Sequence, residues 1–177
     1  MAAVTTAGDY AWFQFGIRHT WQAGVLHGVI LLGTLGVFLG TQSGKAGMGA
    51  VGGLVAGALG ALAFYALAPW LGVGAMFAAW SLVWIGLAAF DAYVLRRPKT
   101  GNPRTPEPPE PVGSRWVIRG LIAAVAGGLA FYAVSGVWTQ HTDNPNYGWH
   151  FVAWLIAWWP GLAALTFGRA ADRGARP

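Results

Sequence analysis

His19, His27, His141 and His150, with Asp143, are the residues of this 177-residue chain whose types and placement point to ligand chemistry. An imidazole can ligate a metal, hold a haem axially or carry a proton near neutral pH. His27 falls about six residues into an apolar segment that starts at Trp21, roughly 9 Å deeper at 1.5 Å per residue. An ionisable side chain at that depth in a bilayer is costly unless paired, and marks a functional site by default. His19 and His27 are eight residues apart. On one helix that spacing means about 80° of rotation and roughly 12 Å of rise, so they cannot share one metal.

His27 and His150 lie on different apolar segments and could together grip a haem or a copper ion. Their expected depths differ, His150 lying nearer the headgroups. The simpler expectation is a neutral His27 hydrogen-bonded to a neighbouring helix. His141 and Asp143 sit close to His150 in sequence, in a polar stretch from Thr139 to Tyr147. That stretch is a place for a docking surface or ion site, against the plainer reading of a solvated loop.

Catalytic patterns are absent: there is no HExxH, no GxSxG, no phosphate-binding GxxxxGK[ST] and no pair of carboxylates within an apolar segment. The chain has no cysteine, which removes disulfides, thiolate metal sites and cysteine nucleophiles. No catalysis is expected.

The elements that must position these residues are apolar. The chain is 55% hydrophobic and 10% charged, with 27 Gly and 11 Trp. Soluble domains carry about a quarter charged residues. Val51 to Trp70 and Val73 to Phe90 have no charge at all, and about 20 apolar residues cross a hydrocarbon core of roughly 30 Å. The predicted class is an all-α polytopic transmembrane bundle with spans over about 21–41, 48–69, 73–95, 116–138 and 147–168. Residues 1–20 are expected to form an outer segment, lying in the interface or extending the first span. No basic region precedes an apolar core there, so a cleaved signal peptide is not expected.

The chain also repeats itself. Gly53-Leu54-Val55-Ala56 with Gly60-Ala61-Leu62-Ala63-Phe64-Tyr65-Ala66 returns as Gly120-Leu121-Ile122-Ala123 with Gly127-Gly128-Leu129-Ala130-Phe131-Tyr132-Ala133. Phe77, Ala79, Trp80 and Trp84 return as Phe151, Ala153, Trp154 and Trp158. The offset is 67 residues from Gly53 to Gly120 and 74 from Phe77 to Phe151, so the second hairpin holds seven more residues near its turn. Asn144-Pro145 is the expected start of the last helix. The fold is thus one helix followed by two parallel-repeat hairpins (48–95 and 116–168), joined by the linker 96–115. Pro98 to Gly113 holds six of the ten prolines and should be an extended, solvated strap.

Basic residues set the orientation. With the N-terminus outside, the inner side receives Lys45, Arg96, Arg97, Lys99, Arg104, Arg115, Arg119, Arg169, Arg173 and Arg176, and the outer side only Arg18. This positive-inside bias predicts N-out and C-in, with a basic cytoplasmic tail over 169–177, in an inner or plasma membrane read as bacterial. It also accounts for the pI near 10 without nucleic acid as a partner.

Small residues at every fourth position, Gly49, Gly53 and Gly57 in one repeat and Gly120, Ala124 and Gly128 in the other, form faces that admit another backbone. Gly33, Gly36 and Gly40 do the same in the first span. These faces are expected to pack within the bundle, with homo-oligomerisation the alternative. Trp12, Trp21, Trp70, Trp138 and Trp149 fall at one predicted boundary and Trp116 at the other, as interfacial belts. Trp80 with Trp84, and Trp154 with Trp158, make an i,i+4 ridge on each repeat, suited to packing or to flanking a flat ligand such as a porphyrin. Pro160-Gly161 is expected to kink the last span, and Asp91 to pair with Arg96 or Arg97 at the inner boundary. The tryptophan content and five spans are similar to those of the tryptophan-rich sensory proteins, whose porphyrin binding a likeness of this kind implies. That family's Pro-Trp-rich first loop is missing, so none of its residues is carried over.

Three functions follow as expectations. The first is a non-enzymatic subunit that packs with a larger membrane-protein partner in the lipid bilayer. The second is a small oligomeric transporter or channel with its path between the repeats. The third is a haem, copper or porphyrin binder using the outer-leaflet histidines.

Overall fold

The computed structural model describes residues 1–15, 20–72, 74–95, 115–134 and 146–174, and all regular structure within them is helical. Helix α1 covers Ala2–Gln14, α2 Trp21–Thr41, α3 Ala46–Leu71 and α4 Gly74–Phe90, the last continued by a π-helical turn over Asp91–Leu95. Helices α5 (Arg115–Val134) and α6 (Tyr147–Gly174) complete the chain. Helices α2 to α6 are each long and apolar enough to cross a bilayer. The protein is a polytopic helical bundle, and its five spans match the expected ones to within a few residues at every described end. His19, His141, Asp143, Trp138, Asn144-Pro145 and the proline-rich linker lie outside the described residues.

Consecutive spans pack on one another in chain order, from α2 on α3 through to α5 on α6. Lys45 donates from Nζ to the Val94 carbonyl at 2.7 Å, and the Tyr93 and Trp116 rings meet edge to face at 5.4 Å. These contacts bring the starts of α3 and α5 and the close of α4 to one end of the bundle. Hairpins α3–α4 and α5–α6 therefore run in the same sense, as the repeat requires. The opposite end carries Trp21, Leu71 and Tyr147, and is called here the His150 end.

Local chemistry sets the helix limits. The Thr20 hydroxyl accepts from the Ala23 N–H at 3.3 Å and caps α2. Gly44 takes a positive φ of 66° in the short turn to α3, a conformation glycine adopts without steric cost. At α6 the cap is Asn146, whose Oδ1 accepts from the N–H groups of Gly148 at 3.1 Å and Trp149 at 3.3 Å. The capping position thus falls two residues beyond Asn144.

The tightest contact is between α2 and α3. A methyl group added at Gly36 would fall on the Gly49 carbonyl, one at Gly49 on the Gly36 carbonyl, one at Gly53 on the Leu32 carbonyl and one at Gly57 on the Gly28 carbonyl. The expected glycine rows are therefore the two halves of one interface, inside a single chain. In the second repeat the row meets α4 instead. Gly120 lies under Ala88, with 3.0 Å between Cβ positions, Ala124 is buried, and Gly128 receives the Phe77 ring.

Gly36→Val should thus force the two backbones apart and cost about 1–3 kcal/mol or more, the usual range for overpacking. Gly86→Ala makes the control, because a methyl group at Gly86 meets nothing within 4 Å. It should be neutral or stabilising by up to about 1 kcal/mol. Thermal unfolding of both purified variants in detergent checks the contrast.

Candidate functional site

Residues of α1, α2 and α6 assemble a polar site at the His150 end. Helix α6 presents His150 and Trp154, four residues apart and so on one face. Helix α1 runs antiparallel to α6, with Tyr10 against Tyr147 at 5.3 Å between ring centroids and Met1 near Leu162. This register delivers Asp9 to both α6 side chains. His150 Nδ1 lies 3.1 Å from Asp9 Oδ2, and Trp154 Nε1 donates to the same oxygen at 2.7 Å. A carboxylate oxygen only accepts, so the His150 proton in this contact sits on Nδ1.

The site is well shielded. The His150 side chain is 8% exposed and that of Asp9 14%, and the Tyr147 ring lies 5.7 Å from the imidazole. Two donors on one oxygen in such surroundings form a charge-assisted network, strong when complete and costly when broken.

Helix α2 brings His27 to the adjoining residue of α1. A methyl group at Gly8 would stand 2.6 Å from His27 Nδ1, so the ring rests on the bare backbone there. The two expected ligand residues, His27 and His150, thus meet adjoining residues of α1, Gly8 and Asp9, and α1 lies against both of their helices. Among the described residues no group of three or more His, Asp or Glu side chains is arranged to hold a metal ion.

Asp9 is the site residue that the sequence reading missed. It is the only charged residue before Arg18, in a stretch of small and apolar residues able to enter the bundle as a helix. That isolation was the available signal.

The aromatic ridges have a different place. Trp80, Trp84, Trp154, Trp158 and Phe131 meet between α4, α5 and α6, with centroids 4.8 Å apart for Trp80 and Trp158 and 5.1 Å for Trp80 and Phe131. Trp84 is fully buried. It is seated by two glycines: a methyl group at Gly127 would come 2.8 Å from its Nε1, and one at Gly161 would fall on its six-membered ring. The Pro160-Gly161 pair, within the continuous helical run of α6, thus makes room for an indole. Nε1 of Trp80, Trp84 and Trp158 meets no hydrogen-bond acceptor among the described residues. The rings instead meet at steep angles, 81° for Trp80 with Trp84 and 71° for Trp84 with Trp158, the edge-to-face arrangement that aromatic quadrupoles favour. The two ridges pack directly on each other.

At the other end Asp91 is buried at the start of the π-helical turn, beside the carbonyl that Lys45 reaches. Arg96 and Arg97, its expected partners, lie outside the described residues. Comparison of the chain with known protein families, with curated proteins and with solved structures gives no match.

Asp9→Ala should leave two buried donors without their acceptor and lower stability by about 3 kcal/mol, in the range for a broken buried pair. Asp9→Asn keeps one acceptor oxygen and should cost less. Trp154→Phe keeps the ring but removes the donor, for a loss of about 1 kcal/mol. Thermal unfolding in detergent ranks the three variants, and equal stability of Asp9→Ala and the parent chain would contradict the assignment.

Proposed function

We propose that this protein is a non-catalytic integral membrane subunit, a preformed helical module that packs beside a larger membrane-protein partner. The observation that carries the reading is the filled seam between the repeats. A transport path there would need a polar lining through the middle of the membrane. Instead Trp80, Trp84, Trp158 and Phe131 close the seam, and the charged side chains of the described residues lie toward the ends. The position of α1 against both His27 and His150 likewise favours a structural use of these imidazoles over axial haem or copper ligation.

A surface for a partner is available on α3. Opposite its glycine face it exposes Val51, Val55, Leu59 and Leu62, a stripe at helical spacing suited to a neighbouring helix or to lipid. The exposed Trp21, Trp70 and Trp149 suit a headgroup boundary. In this reading the start of α2 and the His150 end face outward, the Lys45 end and basic tail face the cytoplasm, and the membrane is the plasma membrane.

Affinity purification from native membranes tests the proposal. The expected result is co-purification with larger membrane subunits in fixed ratio. Recovery of the chain alone, with solute uptake after its reconstitution into liposomes, would overturn the reading in favour of transport. A haem absorption band lost in His27→Ala or His150→Ala would overturn it in favour of cofactor binding. Because the chain lacks cysteine, single-cysteine variants at Lys99 and Thr142 can report sidedness. Labelling of position 142 from outside, and of 99 only after permeabilisation, is expected.

A further inference from the structure

We propose that the groove between α2 and α6 is a binding site for an amphiphilic carboxylate, a fatty acid in the simplest case, and that α1 fills it in cis with Asp9 in the place of the ligand's headgroup. This is independent of the partner reading above.

The first support is the donor geometry. His150 Nδ1 and Trp154 Nε1 come from one rigid helix and converge on a single oxygen at 3.1 and 2.7 Å. His150 is more than nine-tenths buried. A seat built from two converging donors selects an acceptor, and an anionic one most strongly. An occupant without such an oxygen would leave both donors unsatisfied.

The second support is the shape of the groove. Helix α1 packs chiefly on α6 and more lightly on α2, while its Ala3, Ala7 and Tyr10 remain exposed. It therefore lies in the surface of the bundle and is not a central element. Below Asp9 its contacts are mainly apolar, the buried Thr6 hydroxyl being the exception. Ala2 is buried and Val4 packs against the core, and the buried Thr5 hydroxyl turns back to the carbonyls of Met1 and Ala2 at 3.0 Å.

The third support is that the groove outlasts its occupant. From Asp9 to Met1 the helix covers about 12 Å at 1.5 Å per residue. Where it starts, a half-open cavity of about 270 Å³ continues between Met1, Thr34, Phe38 and Leu162. The Thr34 hydroxyl is spent on the Ile30 carbonyl at 2.8 Å, so the walls of the extension are mainly apolar. A carboxyl group at the bundle's end with a hydrocarbon tail running toward the membrane interior matches this sequence of polar seat, apolar channel and apolar cavity.

The test uses the full-length protein in nanodiscs and the probes dodecanoate and dodecanol, with binding read by native mass spectrometry and thermal shift. Asp9→Ala removes the internal competitor, so its apparent affinity for dodecanoate should rise about tenfold or more over the parent chain, whose competent state is little populated. Adding His150→Phe to that variant should abolish the gain, and dodecanol should not reproduce it. A diazirine-bearing dodecanoate should label α2 and α6 around Phe38 and Leu162. The labelling is also done on the parent chain and on His150→Phe alone, so failure of Asp9→Ala to fold leaves the proposal testable. No gain in Asp9→Ala, equal binding of the alcohol, labels elsewhere on the bundle, or an acid-bearing helix of another protein recovered in the groove would each overturn it.

Discussion

Helices in hydrocarbon gain nothing from hiding apolar surface from one another, so this bundle depends on close fit. Glycine supplies that fit in two ways. Between α2 and α3 it lets two backbones meet, with Gly36, Gly49, Gly53 and Gly57 each lying against a carbonyl of the facing helix or its glycine neighbours. Between α4, α5 and α6 it does the opposite, leaving room for bulk: Gly127 and Gly161 flank Trp84, and Gly128 receives Phe77. One small residue type thus builds a thin interface in the first half of the molecule and a thick aromatic one in the second. The repeat is visible in both, yet its copies serve unlike neighbours.

The polar groups follow from the same constraint. A bundle held by shape can admit charge only where partners are supplied, because an unpaired ionisable group in the membrane is costly. Asp9 has two donors from α6, while Lys45 reaches a backbone carbonyl in the turn that closes α4. These features sit at opposite ends, and the middle is left mainly to leucine, glycine, aromatic rings and a few hydroxyls such as those of Thr5 and Thr34. That division supports a structural module over a conduit. It also gives α1 its distinct character, since this helix is fixed by one carboxylate and a modest apolar face while the spans interlock along their length.

Much of the architecture was legible in the residues. Runs without charge gave the spans, and i,i+4 glycines gave faces that do lie at helix interfaces. Duplicated Phe-Ala-Trp-Trp patterns gave two hairpins of the same sense. The site was legible only in part. His27 and His150 stood out as imidazoles in or near apolar segments, and the estimated difference in their depth argued against a meeting. Helix α1 resolves that difference by offering Gly8 to one and Asp9 to the other. Asp9 could not be valued from its own surroundings, because its partner His150 is 141 residues away and becomes its neighbour only through antiparallel packing.

Hydropathy, glycine spacing and internal duplication are local or periodic properties, so the sequence by itself determined a five-span helical membrane protein built from repeated hairpins. Which faces meet is a matter of register and volume across distant segments. Only the tertiary structure decided that the tryptophan ridges close on each other, that the first span and the first repeat share one glycine interface, and that the opening helix carries its lone acid to a histidine and a tryptophan of the last span.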